Sequence, residues 1–162
     1  MKKNIRNLIP PPSSSPRRLI LIRREPRLGE KISPASVRRA IRRTLEEQEF
    51  RKDCSISILF GSDETLESLN ARFRGIDRPT DVLSFGARRV DPETGVIHLG
   101  EIAVSLPRAA AQAKSRRAPL EAEILLLTIH GALHLLGHDH DTPARKKRMW
   151  QAQRKILKEL VS

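Results

Sequence analysis

Apolar residues occur in short runs along this chain, and charged or turn-forming residues separate them. RRLILIRRE (residues 17–25) has a short apolar centre between charges, and CSISILF (residues 54–60) is dense in β-branched residues. Both patterns favour strands. DVLSF (residues 81–85) and VIHLGEIAVSL (residues 96–106) predict two more, and Gly100 within the last indicates a bulge or a close backbone approach. About four strands are therefore expected.

Two helices are predicted in the first half of the chain. Ser33, followed by proline, is a start signal, and the apolar positions after it have helical spacing as far as Phe50. Ser62 provides a second cap, with acidic residues in the first turn and Gly75 as the stop signal.

Three further helices are predicted in the second half. A short alanine-rich helix covers residues 107–114, and a longer one begins at Pro119 with hardly any polar face, which indicates central burial. The last runs over residues 142–161, and Trp150 is expected to pack it onto the core. Strands and helices do not alternate strictly. The chain is therefore expected to be α+β, with a small mixed sheet of about four strands packed with about five helices.

Basic residues change this picture of an ordinary small domain. The chain has 31 Lys and Arg against 19 Asp and Glu, a formal net charge of +12. Such an excess favours a polyanionic partner, with nucleic acid ahead of an anionic membrane surface or a merely solvated surface. With four Phe, one Trp and no Tyr, phosphate contacts are expected to dominate over base stacking.

The length of 162 residues fits one domain over residues 17–162, preceded by a flexible basic tail rich in Pro and Ser over residues 1–16. The N-terminus lacks the apolar core of a signal peptide, and no run approaches the roughly 18 apolar residues of a membrane span. A lone Cys54 excludes an intramolecular disulfide. A cytoplasmic protein without membrane association or a small-molecule organic cofactor is expected.

Four of the five histidines lie in HGALHLLGHDH (residues 130–140). On a helix, residues four apart share one face, so His130 and His134 can point at one site. Gly137 can adopt a positive φ and turn the chain so that His140 joins them. Three imidazoles with an open fourth position are typical of catalytic zinc. We expect one Zn²⁺ at the end of the buried helix, although imidazole ligands also suit other divalent transition metals.

The same spacing occurs in zinc proteases with the pattern HExxHxxGxxH, in which the glutamate is the general base. Gly131 occupies that position here. A metal ion can still act as a Lewis acid and lower the pKa of bound water to about 7. Together with the basic charge, this favours a phosphodiester substrate over a peptide.

Four other residues near the histidines are candidates for roles at such a site. Carboxylates usually orient metal-bound imidazoles by accepting the second ring N–H, and Glu123, Asp139 and Asp141 are the candidates. Each could equally be a helix-terminal or solvated acid. His138 is a possible ligand, substrate contact or surface residue, and the last is favoured.

Three segments together resemble the YbeY family of bacterial endoribonucleases. They are HGALHLLGHDH, LNARFRGIDRPTDVLSF (residues 69–85) and GEIAVSLPRA (residues 100–109), and the likeness covers about residues 58–141. The resemblance implies a metal-dependent endoribonuclease that cuts single-stranded regions. It also implies roles in ribosomal RNA maturation, notably at the small-subunit 3′ end, and in ribosome quality control. The implied partners are ribosomal RNA and the small subunit or its proteins.

The resemblance also assigns site residues. The family's ligands fall on His130, His134 and His140, and its catalytically important arginine falls on Arg74. A guanidinium can bind phosphate oxygens bidentately and stabilise the charge that develops during cleavage. His138 departs from the family, which usually has Tyr at this position.

Two other classes remain open. In the first, the chain is a ribosome-assembly factor or RNA chaperone, and the metal only stabilises the fold; RNA would bind without being cut, and chelation would lower the melting temperature. In the second, it is a metalloprotease or another metallohydrolase, against which Gly131 argues.

Overall fold

A computed structural model describes residues 15–161 of the chain. The tail predicted over residues 1–16 lies outside the described residues, except for Ser15 and Pro16. The elements, in chain order, are β1 Arg18–Arg24, α1 Pro34–Glu47, β2 Cys54–Gly61, α2 Asp63–Arg74, β3 Val82–Val90, β4 Ile97–Ser105, α3 Leu106–Arg116, α4 Leu120–Leu135 and α5 Pro143–Val161. Within residues 15–161, no helix combines the length and apolar composition that crossing a bilayer requires.

The four strands form one mixed sheet with the order β1-β2-β4-β3. Strands β1, β2 and β4 are parallel, and β3 pairs with β4 in the antiparallel direction. The sheet and the five helices confirm the expected α+β class. The antiparallel strands β3 and β4 are consecutive, and a short loop connects them, whereas the parallel pairs need longer connections: α1 connects β1 to β2, and α2 with β3 connects β2 to β4.

The helices cover the sheet unequally. α1 and α4 pack on one face with β2 and β4, while α2 covers β3 and β4 on the other. α5 packs outside α1 and α4. Helix α4 is therefore covered on two sides, which explains the lack of a polar face in its sequence. Its residues towards the sheet core are Ile124, Leu127, Ala132 and Leu135, and those towards α5 are Leu125, Ile129 and Leu133.

Two expectations about individual elements were wrong. Strand β3 continues to Val90 instead of ending at residue 85, because its pairing with β4 resumes beyond an irregularity after Gly86. Trp150 does not pack α5 onto the core: it is 50% exposed, whereas its neighbour Met149 is fully buried. Adjacent helix positions differ by about 100°, so only one of the two can face the core.

Gly100 lies where β4 departs from regular pairing, and both expectations for this glycine are confirmed. The register between β2 and β4 shifts at this point. Gly100 has φ +145°, and a Cβ there would lie 2.1 Å from the carbonyl oxygen of Phe85 and 2.9 Å from a methyl group of Leu135. Only glycine allows β3 and α4 to approach β4 this closely.

We therefore expect Gly100→Ala to lower the free energy of unfolding by about 3 kcal/mol or more, because backbone strain and overlap with a carbonyl act together. Urea unfolding measures this change. Gly86→Ala is the matched control, since Gly86 pairs directly with Gly100 and has open space at its Cβ. The control should change stability by less than about 1 kcal/mol. Equal losses in the two variants would contradict this account.

Candidate metal centre

Three histidines converge at the C-terminal end of α4. His130 and His134 lie one helical turn apart, and their Nε2 atoms are 3.1 Å from each other. His140 completes a group whose possible ligand atoms all lie within 4.8 Å of one another. Bonds of about 2.0–2.1 Å to a tetrahedral zinc ion would separate two imidazole nitrogens by about 3.3 Å. The donor set and its spacing therefore fit a transition-metal ion.

The turn after α4 brings His140 back to this group. Gly137 has φ +95°. Its N–H donates to the carbonyl of His134 (3.0 Å), and the N–H of His138 donates to the carbonyl of Leu133 (3.0 Å). This pair of bonds is a Schellman motif, which ends a helix with a residue of positive φ. The glycine signal in the sequence thus has the structural role expected of it.

The two helical imidazoles are held in a form that can bind metal. Burial lowers the pKa of His130, and burial together with neighbouring imidazoles lowers the pKa of His134. Both shifts favour the neutral ring, the form that coordinates metal. His130 Nδ1–H donates to Gln153 Oε1 of α5 (2.9 Å). That bond leaves the Nε2 lone pair of His130 directed at the cluster.

The carboxylates considered for this orienting role do not hydrogen-bond to the cluster imidazoles. Asp139 accepts from the backbone N–H of His140 (2.7 Å), and Asp141 pairs with Arg145. Glu123 pairs with Arg116. Sequence reasoning missed Gln153, because it lies in the next helix, 23 residues after His130, and no local spacing connects the two residues.

His138 lies apart from the three histidines. Its Nε2–H donates to Gln48 Oε1 at 2.5 Å, and Gln48 is the C-cap residue directly after α1. The side chain is half-buried, so it is not the plain surface residue that was favoured from the sequence. It links the turn after α4 to α1.

Gly131 faces the sheet. A Cβ at this position would lie 2.7 Å from Cγ2 of Ile102 and 3.2 Å from Oγ of Ser84. The glutamate that zinc proteases carry at the equivalent position would therefore have to displace the side chains of Ile102 in β4 and Ser84 in β3. The close packing of α4 on the sheet accounts for the glycine.

Arg74 is the last residue of α2, beside Gly75, which has φ +68°. Its guanidinium is exposed, and Nη2–H donates to the carbonyl of Ser84 in β3 at a long 3.5 Å. The hydroxyl of Ser84 in turn donates to the carbonyl of Gly131 (3.0 Å). Two hydrogen bonds thus connect Arg74 to the residue beside His130.

The fold and site together define an α+β protein with a candidate three-histidine metal centre and an exposed arginine connected to it. The sequence model that represents the endoribonuclease YbeY family matches residues 25–161 of this chain. The chain belongs to this family.

Individual relatives agree with this assignment. The chain is 37% identical to the endoribonuclease YbeY of Acetivibrio thermocellus, over 75% of this chain and 83% of the relative. It is 43% identical to that of Halalkalibacterium halodurans, over 63% of this chain and 69% of the relative. The fold is similar to the solution structure of TM1509 from Thermotoga maritima, with a TM-score of 0.58, 30% identity, and coverage of 88% of this chain and 89% of the other.

Glu123 is a buried carboxylate near this centre. It is 2% exposed, and both of its oxygens accept from Arg116 Nη1, at 3.1 and 3.3 Å. Burial raises the pKa of Glu123 above its ordinary 4.5, and the attraction of Arg116 opposes this only in part. A carboxyl group with a raised pKa in the folded state binds its proton more tightly there than in the unfolded state.

We therefore expect Glu123 to make stability depend on pH. Its contribution is fully present below about 4.5 and is lost as the pH rises through the folded-state pKa. Wild type should therefore lose at most about 1.4 kcal/mol of unfolding free energy for each pH unit between the unfolded-state and folded-state pKa values, and Glu123→Gln should not show this loss. Urea unfolding at several pH values measures the slope. Glu121→Gln, an exposed carboxylate on the same helix, is the control, and identical slopes in both variants would contradict the prediction.

Proposed function

We propose that this chain is a metal-dependent endoribonuclease that cuts single-stranded regions of ribosomal RNA. Its substrate is the precursor of the small-subunit 3′ end, and it acts in the cytoplasm in RNA maturation and ribosome quality control. Residues 17–162 form one catalytic domain. The observation that carries the proposal is the convergence of three imidazoles within 4.8 Å, together with the contacts that connect Arg74 to them, in a chain of this family.

In this proposal His130, His134 and His140 hold one Zn²⁺ ion. Burial lowers the pKa of the two helical imidazoles and so favours their neutral form, and Gln153 orients the ring of His130. Three protein ligands leave a coordination position for substrate. When bound, the ion would supply Lewis-acid polarisation of the scissile phosphodiester.

Arg74 binds phosphate oxygens and stabilises the negative charge that develops on them. Its guanidinium is exposed to substrate, and its one hydrogen bond within residues 15–161, to the Ser84 carbonyl, leaves other N–H groups available. A planar guanidinium donates two parallel hydrogen bonds to a phosphate, which positions the group as well as attracting it.

Helix α5 supplies the field that attracts RNA to this site. It contributes Gln153 to the centre, and several of its exposed side chains are basic: Arg145, Lys146, Lys147, Arg148 and Arg154. A basic surface raises the local concentration of a polyanion and the rate at which it associates. The expected RNA partner fits this charge. A protease is not supported, because Gly131 stands where zinc proteases carry their general base and a Cβ there would overlap Ile102.

Replacement of one histidine tests the metal assignment. We expect His134→Ala to lose bound zinc, because two imidazoles hold the ion far more weakly than three. His138→Ala is the matched control, since it removes a histidine four residues later that hydrogen-bonds to Gln48 outside the cluster. Metal analysis after dialysis should give about one zinc for each control chain. Equal zinc content in both variants would refute the assignment.

Replacement of Arg74 tests the chemistry. Zinc-loaded protein should cut a short RNA precursor of the small-subunit 3′ end. The Arg74→Ala variant should cut it at least about 100-fold more slowly, as expected when one stabilising donor is removed. Arg72→Ala loses the same charge at the same helix end, where its guanidinium lies over the ring of Phe73, and should cut like wild type. All preparations are purified in the same way, so a contaminating ribonuclease would cut RNA equally in each of them.

The outcomes separate the alternatives. Equal cutting by all three preparations would refute the role of Arg74. RNA binding without cutting by any of them would favour the assembly-factor function, in which the centre only stabilises the fold.

A further inference from the structure

A second arginine, Arg88 of β3, reaches the end of α4 that carries the histidine centre. Its Nη2–H donates to the carbonyl oxygen of Leu135 (3.2 Å), the last residue of α4 and the neighbour of His134. The backbone hydrogen bonds of the turn after α4 go to carbonyls of earlier residues, so within residues 15–161 Arg88 is the one donor to this carbonyl. The guanidinium therefore completes the end of the helix, where a cation also suits the negative end of the helix dipole.

The backbone of Arg88 is unusual for a residue inside a strand. The pairing of β3 with β4 is irregular between Gly86 and Arg89, and Arg88 lies there with φ +46°. No other described residue except glycine has a positive φ within a helix or strand. The left-handed conformation is unfavourable for a residue with a side chain, and such residues cluster at binding and active sites. An irregularity of this kind redirects a side chain, here towards the end of α4.

Arg74 and Arg88 make the same kind of contact at two levels of α4. Arg74 is connected through Ser84 to the residue after His130. Arg88 contacts the residue after His134. These two levels are one helical turn, or about 6 Å, apart. Two guanidinium groups thus lie along β3, the edge strand of the sheet beside the centre.

Both guanidinium groups are available to an anion. Each is exposed, and each makes one hydrogen bond within residues 15–161, to a neutral carbonyl. Neither Arg74 nor Arg88 forms an ion pair with a described carboxylate. Two unneutralised arginines in a row suit a ligand with anions in a row, and the phosphates of a nucleic acid strand are such a ligand.

We propose that Arg88 binds a second phosphate of the RNA, next to the one that Arg74 binds. The two arginines then hold the backbone at two points along β3, so the strand passes the histidines from the level of His130 to that of His134. This inference rests on the proposed function, because it takes RNA as the substrate and Arg74 as the contact to the phosphate that is cut. It implies no preference among bases, since both contacts are to the backbone.

The salt dependence of binding measures the number of phosphate contacts. Each contact on a single strand contributes about 0.7 to the slope of log affinity against log salt concentration. We would titrate zinc-loaded protein with a labelled strand of 2′-O-methyl RNA, which keeps the phosphates and resists cutting. Arg88→Gln should make the slope shallower by about 0.7, equally for strands of different base sequence. Arg88→Lys keeps the charge and should restore the wild-type slope.

Arg89→Gln is the matched control, because it removes the same charge one residue later on the other face of the sheet. Arg89 is directly opposite His98 of β4, and paired residues share a face. His98 Nδ1 hydrogen-bonds to the hydroxyl of Ser55 (2.9 Å). Ser55 lies between the core residues Cys54 and Ile56, so its side chain is on the face away from α4. The control should retain the wild-type slope.

A scan with neutral linkages locates the two contacts. One phosphate at a time is replaced by a methylphosphonate, and the loss of affinity is compared in wild type, Arg74→Ala and Arg88→Gln. Each variant should lose nothing further at the phosphate that its missing arginine binds, because only groups in contact are coupled. We expect Arg74 and Arg88 to couple to two different phosphates. A variant that had lost zinc would bind every strand more weakly and could not produce this pattern.

The results distinguish this inference from the function on which it rests. Equal slopes in wild type and Arg88→Gln, or equal changes in Arg88→Gln and Arg89→Gln, would overturn the second contact. So would coupling of Arg88 to no phosphate, or to the same one as Arg74. A lower melting temperature of Arg88→Gln with an unchanged slope would mean that Arg88 only caps α4. If cleavage depends on Arg74 but these tests fail, only the second contact falls. If both arginines couple to phosphates and no preparation cuts RNA, the nuclease proposal falls and the contact remains.

Discussion

The burial of helix α4 between the sheet and α5 is the constraint on which the rest of the structure depends. Its apolar residues contact the sheet core on one side and α5 on the other, so neither layer is complete without it. The close approach of α4 to the sheet requires glycine at two positions, Gly131 in the helix and Gly100 in the strand. His130 and His134 lie at the end of this helix, where one side opens to solvent. The candidate centre thus has a rigid support on one side and an accessible face on the other.

Burial also determines the electrostatics of the centre. The same desolvation that lowers the pKa of His130 and His134 raises that of Glu123, two turns earlier on α4. Burial shifts both pKa values towards the uncharged form, because a low-dielectric surrounding penalises charge of either sign, and at Glu123 the ion pair with Arg116 opposes that shift. No Lys or Arg within residues 15–161 is buried, so water solvates these side chains and a polyanion can reach them. Two helical imidazoles whose neutral form is favoured, beside a strongly basic surface, suit a phosphodiester substrate.

The sequence was sufficient for features that depend on local spacing. It predicted four strands, five helices, the turn at Gly137 and the group of three histidines, because hydrophobic periodicity and helix-end signals act over a few residues. It failed where tertiary packing decides. Trp150 and Met149 are both apolar, and only the angle at which α5 docks determines which is buried. The partner of His130 could not be found either, since Gln153 reaches it from another helix.

The hydrogen bond between His130 and Gln153 connects the centre to the last helix of the fold. Gln153 reaches the imidazole only while α5 is docked on α4, through Met149 and Ile156. If docking of α5 strengthens binding of the proposed ion by orienting His130, then binding of the ion must stabilise the docked α5 by the same free energy, because the two equilibria are coupled. The C-terminal helix would open more often in a metal-depleted chain, and a chain with a loosened C-terminal helix would release its metal more readily. Through this contact, depletion of the proposed ion would increase the exposure of the apolar residues that α5 covers.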